Sequence, residues 1–316
     1  MILSASRRTD IPNYYSEWLV RRFRAGFLCV RNPMDHHQVS RINLSPEVID
    51  CIVFWTKNPV PMFPYLDEFS SYMYYFQFTL TGYGREIEPG LPDKKKVLIP
   101  AFTELADRIG KERMVWRYDP VFLSDRYTLD YHVKAFAQIA EALAGKTQRV
   151  VISFLDDYEK TKRNMKGYGI RNLTEEKMRR LAQSFARIAG GYGMEIQTCA
   201  EKIDLSEYGI VHGACVDREY IEHLLGCRLR GGRDRGQRPE CGCMESVETG
   251  SYHTCRNGCR YCYANDSEVR VQETVRAYDA DSPFLCGKPE PGDRITERKM
   301  KTLRETQLTL EDCINL

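Results

Sequence analysis

Short runs of apolar, β-branched and aromatic residues alternate with longer amphipathic stretches over roughly the first 200 residues of the chain. Each short run has the length and composition of a strand, and each longer stretch spaces its apolar residues as a helix does. This alternation predicts a parallel sheet covered by helices. The predicted strands are Met1–Ala5, Phe27–Val30, Cys51–Thr56, Tyr74–Thr81, Arg113–Tyr118, Arg149–Leu155 and Glu195–Cys199.

Proline, glycine and capping residues mark the helices between these strands. The first helix is predicted to begin near Pro12 and to end at Gly26. The later helices are Lys95–Ile109, Leu129–Ala144, Thr174–Ala189 with Thr174 as N-cap, and a short helix that Asp217 caps and Gly226 ends. Six to eight such units predict an α/β fold of TIM-barrel type, a complete or partial (β/α) barrel over residues 1–226.

The chain changes character after Cys227. Residues 228–243 carry five arginines and show no hydrophobic periodicity, which is typical of a surface loop. Residues 227–316 are therefore predicted to form a cysteine-rich loop and a polar tail. The apolar stretch 282–287 is expected to dock this tail on the barrel.

Composition limits the possible partners. The chain has 316 residues and a formal net charge of +2, so no global field draws it to nucleic acid or to a membrane surface. No run approaches the roughly 18 apolar residues of a spanning helix, and no signal peptide precedes the first strand. A cytoplasmic protein is expected, in which twelve cysteines are metal ligands or free thiols more often than disulfides.

Polar side chains follow the predicted strands, at the sheet edge where α/β proteins place their active sites. Arg117 and Asp119 share parity in an apolar strand, so they are expected to form an ion pair on one face, either as structure or to hold a substrate carboxylate. The candidate catalytic residues are Lys57, Arg117 and Asp119; the candidate cofactor-binding residues are Arg7, Arg8, Asp10, Asn58, Glu201 and Tyr261; Asp156 and Asp157 follow the sixth strand.

Three cysteines, Cys255, Cys259 and Cys262, lie within eight positions, and Gly258 permits a tight backbone wrap. A structural zinc site needs four protein ligands, so it would have to recruit His253 or a distant cysteine. An iron–sulfur cube held by three cysteines instead leaves one iron open to a small ligand.

This spacing, with the aromatic Tyr261 before the last cysteine, resembles the signature of the radical S-adenosylmethionine superfamily. The resemblance implies a [4Fe-4S] cluster whose open iron binds S-adenosylmethionine and an external electron donor that drives its cleavage. The product would be a 5′-deoxyadenosyl radical that acts on an unknown substrate. In that superfamily the cysteines come early in the chain, whereas here they follow the barrel, as a circular permutation would place them.

The segments "SASRRTDIP", "FWTKNP", "WRYDP", "HGACVD" and "CRNGCRYCYAN" are together similar to an uncharacterised bacterial family, number 1848 of the domains of unknown function. The similarity extends over nearly the whole chain. It implies a C-terminal cysteine cluster like that of the radical enzymes, but no particular reaction.

Four further cysteines, Cys199, Cys215, Cys241 and Cys243, are candidates for a second iron–sulfur cluster or a zinc ion, with Cys227 as a possible substitute. Each of them alone could equally be a buried thiol. The other cysteines, Cys29, Cys51, Cys286 and Cys313, are interpreted as structural.

Two other functions stay open. The protein could be a non-catalytic or DNA-associated protein whose cysteines hold zinc or a closed cluster, or an iron–sulfur electron carrier. The five arginines of residues 228–243 could meet nucleic acid, but compensation of thiolate charge is the favoured interpretation.

Overall fold

The computed structural model describes residues 1–155 and 159–305. Asp156, Asp157 and Cys313 lie outside the described residues.

Short strands and α-helices alternate along the described chain. The strands are β1 (Ile2–Ala5), β2 (Phe27–Asn32), β3 (Asp35–Asn43), β4 (Cys51–Thr56), β5 (Tyr74–Thr79), β6 (Met114–Val121), β7 (Leu123–Ser124), β8 (Arg149–Phe154), β9 (Ile170–Arg171), β10 (Glu195–Cys199), β11 (Val211–Gly213), β12 (Ser246–Glu248) and β13 (Arg294–Glu297). The α-helices are α1 (Ile11–Tyr14), α2 (Ser16–Ala25), α3 (Ile99–Ile109), α4 (Leu129–Ala142), α5 (Glu159–Asn164), α6 (Glu175–Gly191), α7 (Arg218–Leu225) and α8 (Glu268–Val275).

The main sheet has eight strands in the order β11-β10-β8-β6-β5-β4-β1-β12. Every neighbouring pair in this order is parallel, which confirms the predicted parallel α/β sheet. In the described part of the chain β11 and β12 are the two edge strands and do not pair with each other, so no closed barrel is seen. The cysteine-rich segment after Cys227 contributes β12 to this sheet.

The strand predicted at Phe27–Val30 is confirmed, but the prediction that it joins the parallel sheet is wrong. It is part of β2, which forms an antiparallel hairpin with β3, and β13 lies parallel to β3 on the other side. Only Pro33 and Met34 separate β2 from β3. A link this short can join antiparallel neighbours, whereas a parallel pair needs a long crossover.

Helix ends follow the predicted caps. Thr174 accepts a hydrogen bond from the backbone N–H of Lys177, and Asp217 accepts one from the backbone N–H of Tyr220. Gly226 ends α7 in the left-handed conformation with φ 66°, as predicted. The helix predicted from Pro12 to Gly26 is interrupted at Tyr15, which separates α1 from α2.

Both faces of the central strands are buried, as expected for a parallel sheet covered on each side. One face carries large side chains such as Phe54, Phe76 and Trp116, which pack in the main core. The opposite face carries smaller apolar residues, which pack with Cys215, Cys243 and Met244. The face with Cys215 and Cys243 therefore lies against the cysteine-rich segment.

The stretch 282–287 docks as predicted. Phe284 and Leu285 are buried, and the indole N–H of Trp18 donates to the Ser282 carbonyl at 2.9 Å. Phe284 packs with Cys29 and Val39 of the hairpin.

We predict that Phe54→Ala lowers the free energy of unfolding by about 3–5 kcal/mol, because it leaves a cavity in the centre of the sheet. The Phe54 side chain is fully buried and stacks on Phe76 with 4.9 Å between ring centroids. Val269→Ala, at a position 64% exposed, should change stability by less than about 0.5 kcal/mol. Denaturant unfolding of the two variants checks this, and equal losses would contradict it.

Candidate functional site

A cavity of about 1190 Å³ opens where the parallel strands end. It is larger than the roughly 300–1,000 Å³ of common small-molecule sites. Two groups of cysteines line it, the cysteine triplet (Cys255, Cys259 and Cys262) and the cysteine quartet (Cys199, Cys215, Cys241 and Cys243). The seven cysteines selected from the sequence as metal ligands therefore face one cavity.

The loop that carries the triplet is anchored by Asn257, whose side chain is buried. Its amide nitrogen donates to Asp10 Oδ2 at 3.0 Å, and its amide oxygen accepts from Asn13 Nδ2 at 3.1 Å and from the Tyr14 hydroxyl at 2.8 Å. The Tyr15 hydroxyl donates to the Thr254 carbonyl at 2.6 Å. The start of the first helix thus holds the triplet loop over the end of β1.

Asp10, a predicted cofactor-binding residue, makes four hydrogen bonds within the protein. Besides Asn257, it accepts from the Thr56 hydroxyl at 2.7 Å, from the Lys57 backbone N–H at 2.8 Å and from the Asn13 backbone N–H at 3.1 Å. Burial raises the pKa of Asp10, and these donors oppose that rise. The carboxylate joins the end of β4 to the triplet loop.

Lys57 holds the other side of the loop through a buried ionic network. Its ammonium group donates to Glu88 Oε1 and to the Tyr261 hydroxyl, each at 2.8 Å. Lys94 and the Tyr261 hydroxyl also donate to Glu88, and Thr81 donates to it at 3.0 Å. Burial lowers the pKa of Lys57, but the nearby Glu88 carboxylate outweighs this and raises it.

Glu88 belongs to this site but was not among the site residues predicted from the sequence. Its side chain is 1% exposed. Burial favours the neutral carboxyl, yet Lys57 and Lys94 lower the pKa of Glu88 to about 2. Glu88 lies in "YGREIEPG", a polar segment without periodicity, so no signal distinguished it from the solvated acidic residues around it.

The triplet loop also approaches Gly90 at close range. The Gly90 backbone N–H donates to the Asn257 carbonyl at 2.9 Å, and a Cβ on Gly90 would lie 2.6 Å from the Arg256 carbonyl oxygen. Gly258 has φ 64°, a left-handed conformation that L side chains rarely adopt. Both glycines are therefore required by the path of the loop.

The triplet fits an iron–sulfur cluster in the chemistry of its donors, since thiolates are the usual cluster ligands. Burial raises the pKa of Cys259, and burial raises that of Cys255 to about 12, so a metal would have to displace their protons. The Ala264 backbone N–H donates to Cys262 Sγ at 3.3 Å. His253, the candidate fourth zinc ligand, contacts Asp266 through both ring nitrogens. The Asp266 backbone N–H donates to His253 Nδ1 at 3.2 Å, and the Asp266 carboxylate lies 3.2 Å from His253 Nε2.

The quartet converges from three separate segments. Cys199 Sγ lies 2.8 Å from Cys215 Sγ, and Cys241 and Cys243 pack in the same buried cluster as Cys215. The neighbouring thiols lower the pKa of Cys199 and Cys243, whereas neighbouring thiols and burial raise that of Cys215 and Cys241. Cys227 does not line the cavity in the described chain.

Arg117 and Asp119 form the predicted ion pair. Arg117 Nε donates to Asp119 Oδ2 at 3.1 Å, and Ser153 donates to the same carboxylate. Burial opposes ionisation, but the Arg117 guanidinium lowers the pKa of Asp119. Arg117 Nη1 also lies 2.6 Å from Cys215 Sγ, a contact that the sequence did not predict.

The remaining predicted site residues divide into two groups. Arg7 and Arg8 line the cavity; Arg7 donates to Ser246 at 2.7 Å, and Arg8 lies over the Tyr252 ring at 4.8 Å. Asn58 and Glu201 are not among the cavity-lining residues of the described chain. Asn58 donates to Asn13 Oδ1 at 2.9 Å and Glu201 accepts from the Phe154 backbone N–H at 2.7 Å, so both contact neighbouring loops and strands.

Within residues 1–155 and 159–305, no group of three or more His, Cys, Asp or Glu side chains has a geometry ready to hold a metal ion. Within the quartet, Cys199 Sγ and Cys215 Sγ lie 2.8 Å apart, closer than the roughly 3.8 Å between two thiolate ligands of a tetrahedral zinc ion. No helix in the same residues is long and apolar enough to cross a membrane.

The fold and the cavity define a parallel α/β protein with a cysteine-lined cavity at the carboxyl edge of its sheet. The chain belongs to the family described as a domain of unknown function, DUF1848, whose model matches residues 2–264. A search of curated proteins finds no match.

Among solved structures, the chain is similar to a crystal structure from Bacteroides thetaiotaomicron VPI-5482 of a protein proposed to be an alpha-L-fucosidase. The identity is 10%, the match covers 71% of this chain and 94% of that chain, and the TM-score is 0.29. A similarity this weak carries no argument about function.

We predict that Gly90→Ala displaces the triplet loop and lowers the free energy of unfolding by about 1–3 kcal/mol, since the new Cβ would overlap backbone atoms. Gly191→Ala is the matched control, because a Cβ there meets no atom within 4 Å. It should stabilise α6 by about 0.4–1 kcal/mol. Thermal unfolding compares the two, and a neutral Gly90→Ala would contradict the close approach.

We also predict a pH dependence that arises from Glu88. Its folded pKa lies below the ordinary 4.5, so its stabilisation is complete above pH 4.5 and is lost as the pH falls toward about 2. The stability difference between wild type and Glu88→Gln should therefore shrink by about 3 kcal/mol over that range.

Denaturant unfolding from neutral pH down to the onset of acid unfolding measures this difference. Glu104→Gln removes an exposed carboxylate that pairs with Arg108 and serves as the control. Its difference from wild type should stay below about 1 kcal/mol throughout. The same small, constant difference for Glu88→Gln would refute the assignment.

Proposed function

We propose that the protein is a cytoplasmic radical S-adenosylmethionine-like enzyme in which Cys255, Cys259 and Cys262 hold a [4Fe-4S] cluster. When bound, such a cluster passes an electron from an external donor to S-adenosylmethionine, whose cleavage yields methionine and a 5′-deoxyadenosyl radical. One observation carries the proposal: three thiols on one anchored loop line a large cavity, while the candidate fourth ligand His253 is engaged by Asp266.

The strand order supports the circular permutation. From one edge to the other the sheet runs β12, β1, β4, β5, β6, β8, β10 and β11. Were β12 and the triplet loop moved to the start of the chain, the sheet would follow chain order from edge to edge, with the cysteine loop after its first strand. That is the arrangement implied by the resemblance to the radical superfamily, as a complete or partial barrel.

Lys57, Glu88 and Tyr261 act as positioning residues in this proposal. Tyr261 precedes Cys262, and its hydroxyl is fixed by both Lys57 and Glu88. The network orients the loop, so the three cysteine sulfurs face the cavity. The positive charge of Lys57 opposes the rise that burial causes in the pKa of Cys259, and it would stabilise the thiolate form of Cys259 in the bound cluster.

Arg117, Asp119 and Ser153 form the polar wall that would face the substrate. Arg117 and Asp119 are paired before any ligand arrives, which lets them present fixed hydrogen-bonding groups without reorganisation. At the cavity rim, Arg8 and the ring of Tyr252 stack on each other and offer a surface for a nucleoside or a carboxylate. Burial of the reacting groups in this cavity would exclude water from the radical.

We predict that wild-type protein purified without oxygen is brown, contains iron and sulfide, and forms 5′-deoxyadenosine when given S-adenosylmethionine and dithionite. Cys259→Ala should lose the iron and reduce 5′-deoxyadenosine to background, because two thiolates do not hold the cube. Elemental analysis, visible absorption and chromatography of the products measure these outcomes.

Cys29→Ala is the control, because Cys29 is a buried thiol that packs with Phe284 and is not among the cavity-lining residues of the described chain. It should keep both the iron and the cleavage activity. A fully loaded cluster that never cleaves S-adenosylmethionine would make the protein an electron carrier. A colourless protein with zinc at the triplet would refute the iron–sulfur assignment.

A further inference from the structure

The four thiols of the quartet come from segments that are separate in the chain. Cys199 ends β10, Cys215 follows β11, and Cys241 and Cys243 precede β12. The fold brings Cys199 Sγ and Cys215 Sγ within 2.8 Å, and Cys241 and Cys243 pack in the same cluster and line the same cavity. Isolated buried cysteines pack as small apolar side chains, whereas here four sulfurs share one place on the cavity wall.

Hydrogen bonds to backbone carbonyls hold the segments that carry the quartet. The Cys215 carbonyl accepts from the Tyr75 hydroxyl at 2.6 Å and from Gln77 Nε2 at 2.9 Å, both on β5. Arg233 Nε donates to the Cys241 carbonyl at 2.7 Å. The sulfur positions are therefore set by the sheet and by a buttressing arginine.

The contacts of Arg233 bear on the role of the five arginines in residues 228–243, which were expected to compensate thiolate charge. Its guanidinium donates to the carbonyls of Arg238 and Pro239 as well as that of Cys241, so it holds the Cys-x-Cys turn together. It does not meet the thiols themselves. The charge in direct contact with a quartet sulfur comes from β6.

That charge is Arg117, a buried cation whose Nη1 lies 2.6 Å from Cys215 Sγ. A guanidinium at this distance favours an anionic sulfur over a neutral thiol. The Val216 backbone N–H donates to Cys243 Sγ at 3.3 Å. Hydrogen bonds of this kind, from a cation and from the backbone, orient and stabilise thiolates that ligate a metal.

We propose that Cys199, Cys215, Cys241 and Cys243 bind one zinc ion in the wall of the cavity. Four thiolates are a complete ligand set for a structural zinc site, with Zn–S bonds of about 2.3 Å and sulfurs about 3.8 Å apart. Cys199 Sγ and Cys215 Sγ are already 2.8 Å apart, so these two need only a small outward movement to share one ion. A cube would need them spread over four corners of a much larger body.

This zinc site would fix the wall next to the proposed substrate. Arg117 contacts Cys215 through Nη1 and Asp119 through Nε, so the ion, the arginine and the carboxylate form one connected unit. The inference goes beyond the radical chemistry and does not depend on it, because zinc and iron are counted separately.

The test measures zinc and iron per chain in wild type, Cys243→Ala and Cys259→Ala, purified without oxygen. Wild type should contain about one zinc per chain. Cys243→Ala should lose the zinc and keep the iron of the triplet, whereas Cys259→Ala should lose the iron and keep the zinc. Cys29→Ala, the same change at a buried thiol outside the cavity, should keep both metals.

A second measurement covers the case in which Cys243→Ala fails to fold. Metal-free wild type is titrated with Co²⁺, whose visible spectrum reports a tetrahedral site with four thiolates, and Zn²⁺ should then remove the colour by competition. Three results would overturn the proposal: no tetrathiolate Co²⁺ spectrum, loss of additional iron instead of zinc in Cys243→Ala, or a Cys199–Cys215 disulfide in the anaerobically purified protein.

Discussion

The buried carboxylate of Asp10 is the point at which the cavity is assembled. It accepts from Thr56 and Lys57 at the end of β4, from Asn13 at the start of the first helix, and from Asn257 in the triplet loop. A carboxylate removed from water is costly unless such donors surround it. Because the donors come from three separate segments, the position of the loop relative to the sheet follows from satisfying this one group.

The other buried carboxylates near the cavity also have charged or hydrogen-bonding partners. Lys57 and Lys94 neutralise Glu88, and Arg117 neutralises Asp119. Lys57 and Arg117, two cations that line the cavity, are thus held in place by carboxylates beside them. A ligand would encounter groups whose orientation is fixed before it binds, which is the arrangement that makes electrostatic stabilisation effective.

The sequence was informative where burial imposed a pattern. The strand at Cys51–Thr56 was predicted with the bounds it has, since it is a nearly continuous apolar run of a parallel sheet. The strand at Glu195–Cys199 also has its predicted bounds, although only Ile196 and Cys199 in it are apolar. The pairing of Arg117 with Asp119 followed from their parity alone. By contrast, β3 is largely polar and exposed, and β11 and β12 have three residues each, so neither pattern nor length revealed them. The place of Phe27 in a hairpin and the contact of Arg117 with Cys215 depend on the tertiary structure, and Glu88 had no local signal at all.

The order of strands in the sheet has a consequence for biosynthesis. Strand β1 is made first, but its neighbour β12 is made only after most of the chain, and the Asp10–Asn257 contact joins residues 247 positions apart. Contacts of such long range form slowly, because the intervening chain must first be ordered. On the ribosome the nascent chain can therefore build the middle of the sheet early, while the cavity and its thiols are completed only after β12 and the triplet loop have been made. Any metal must then enter a protein whose central strands are already present, and one edge of β1 stays exposed to other chains until β12 covers it.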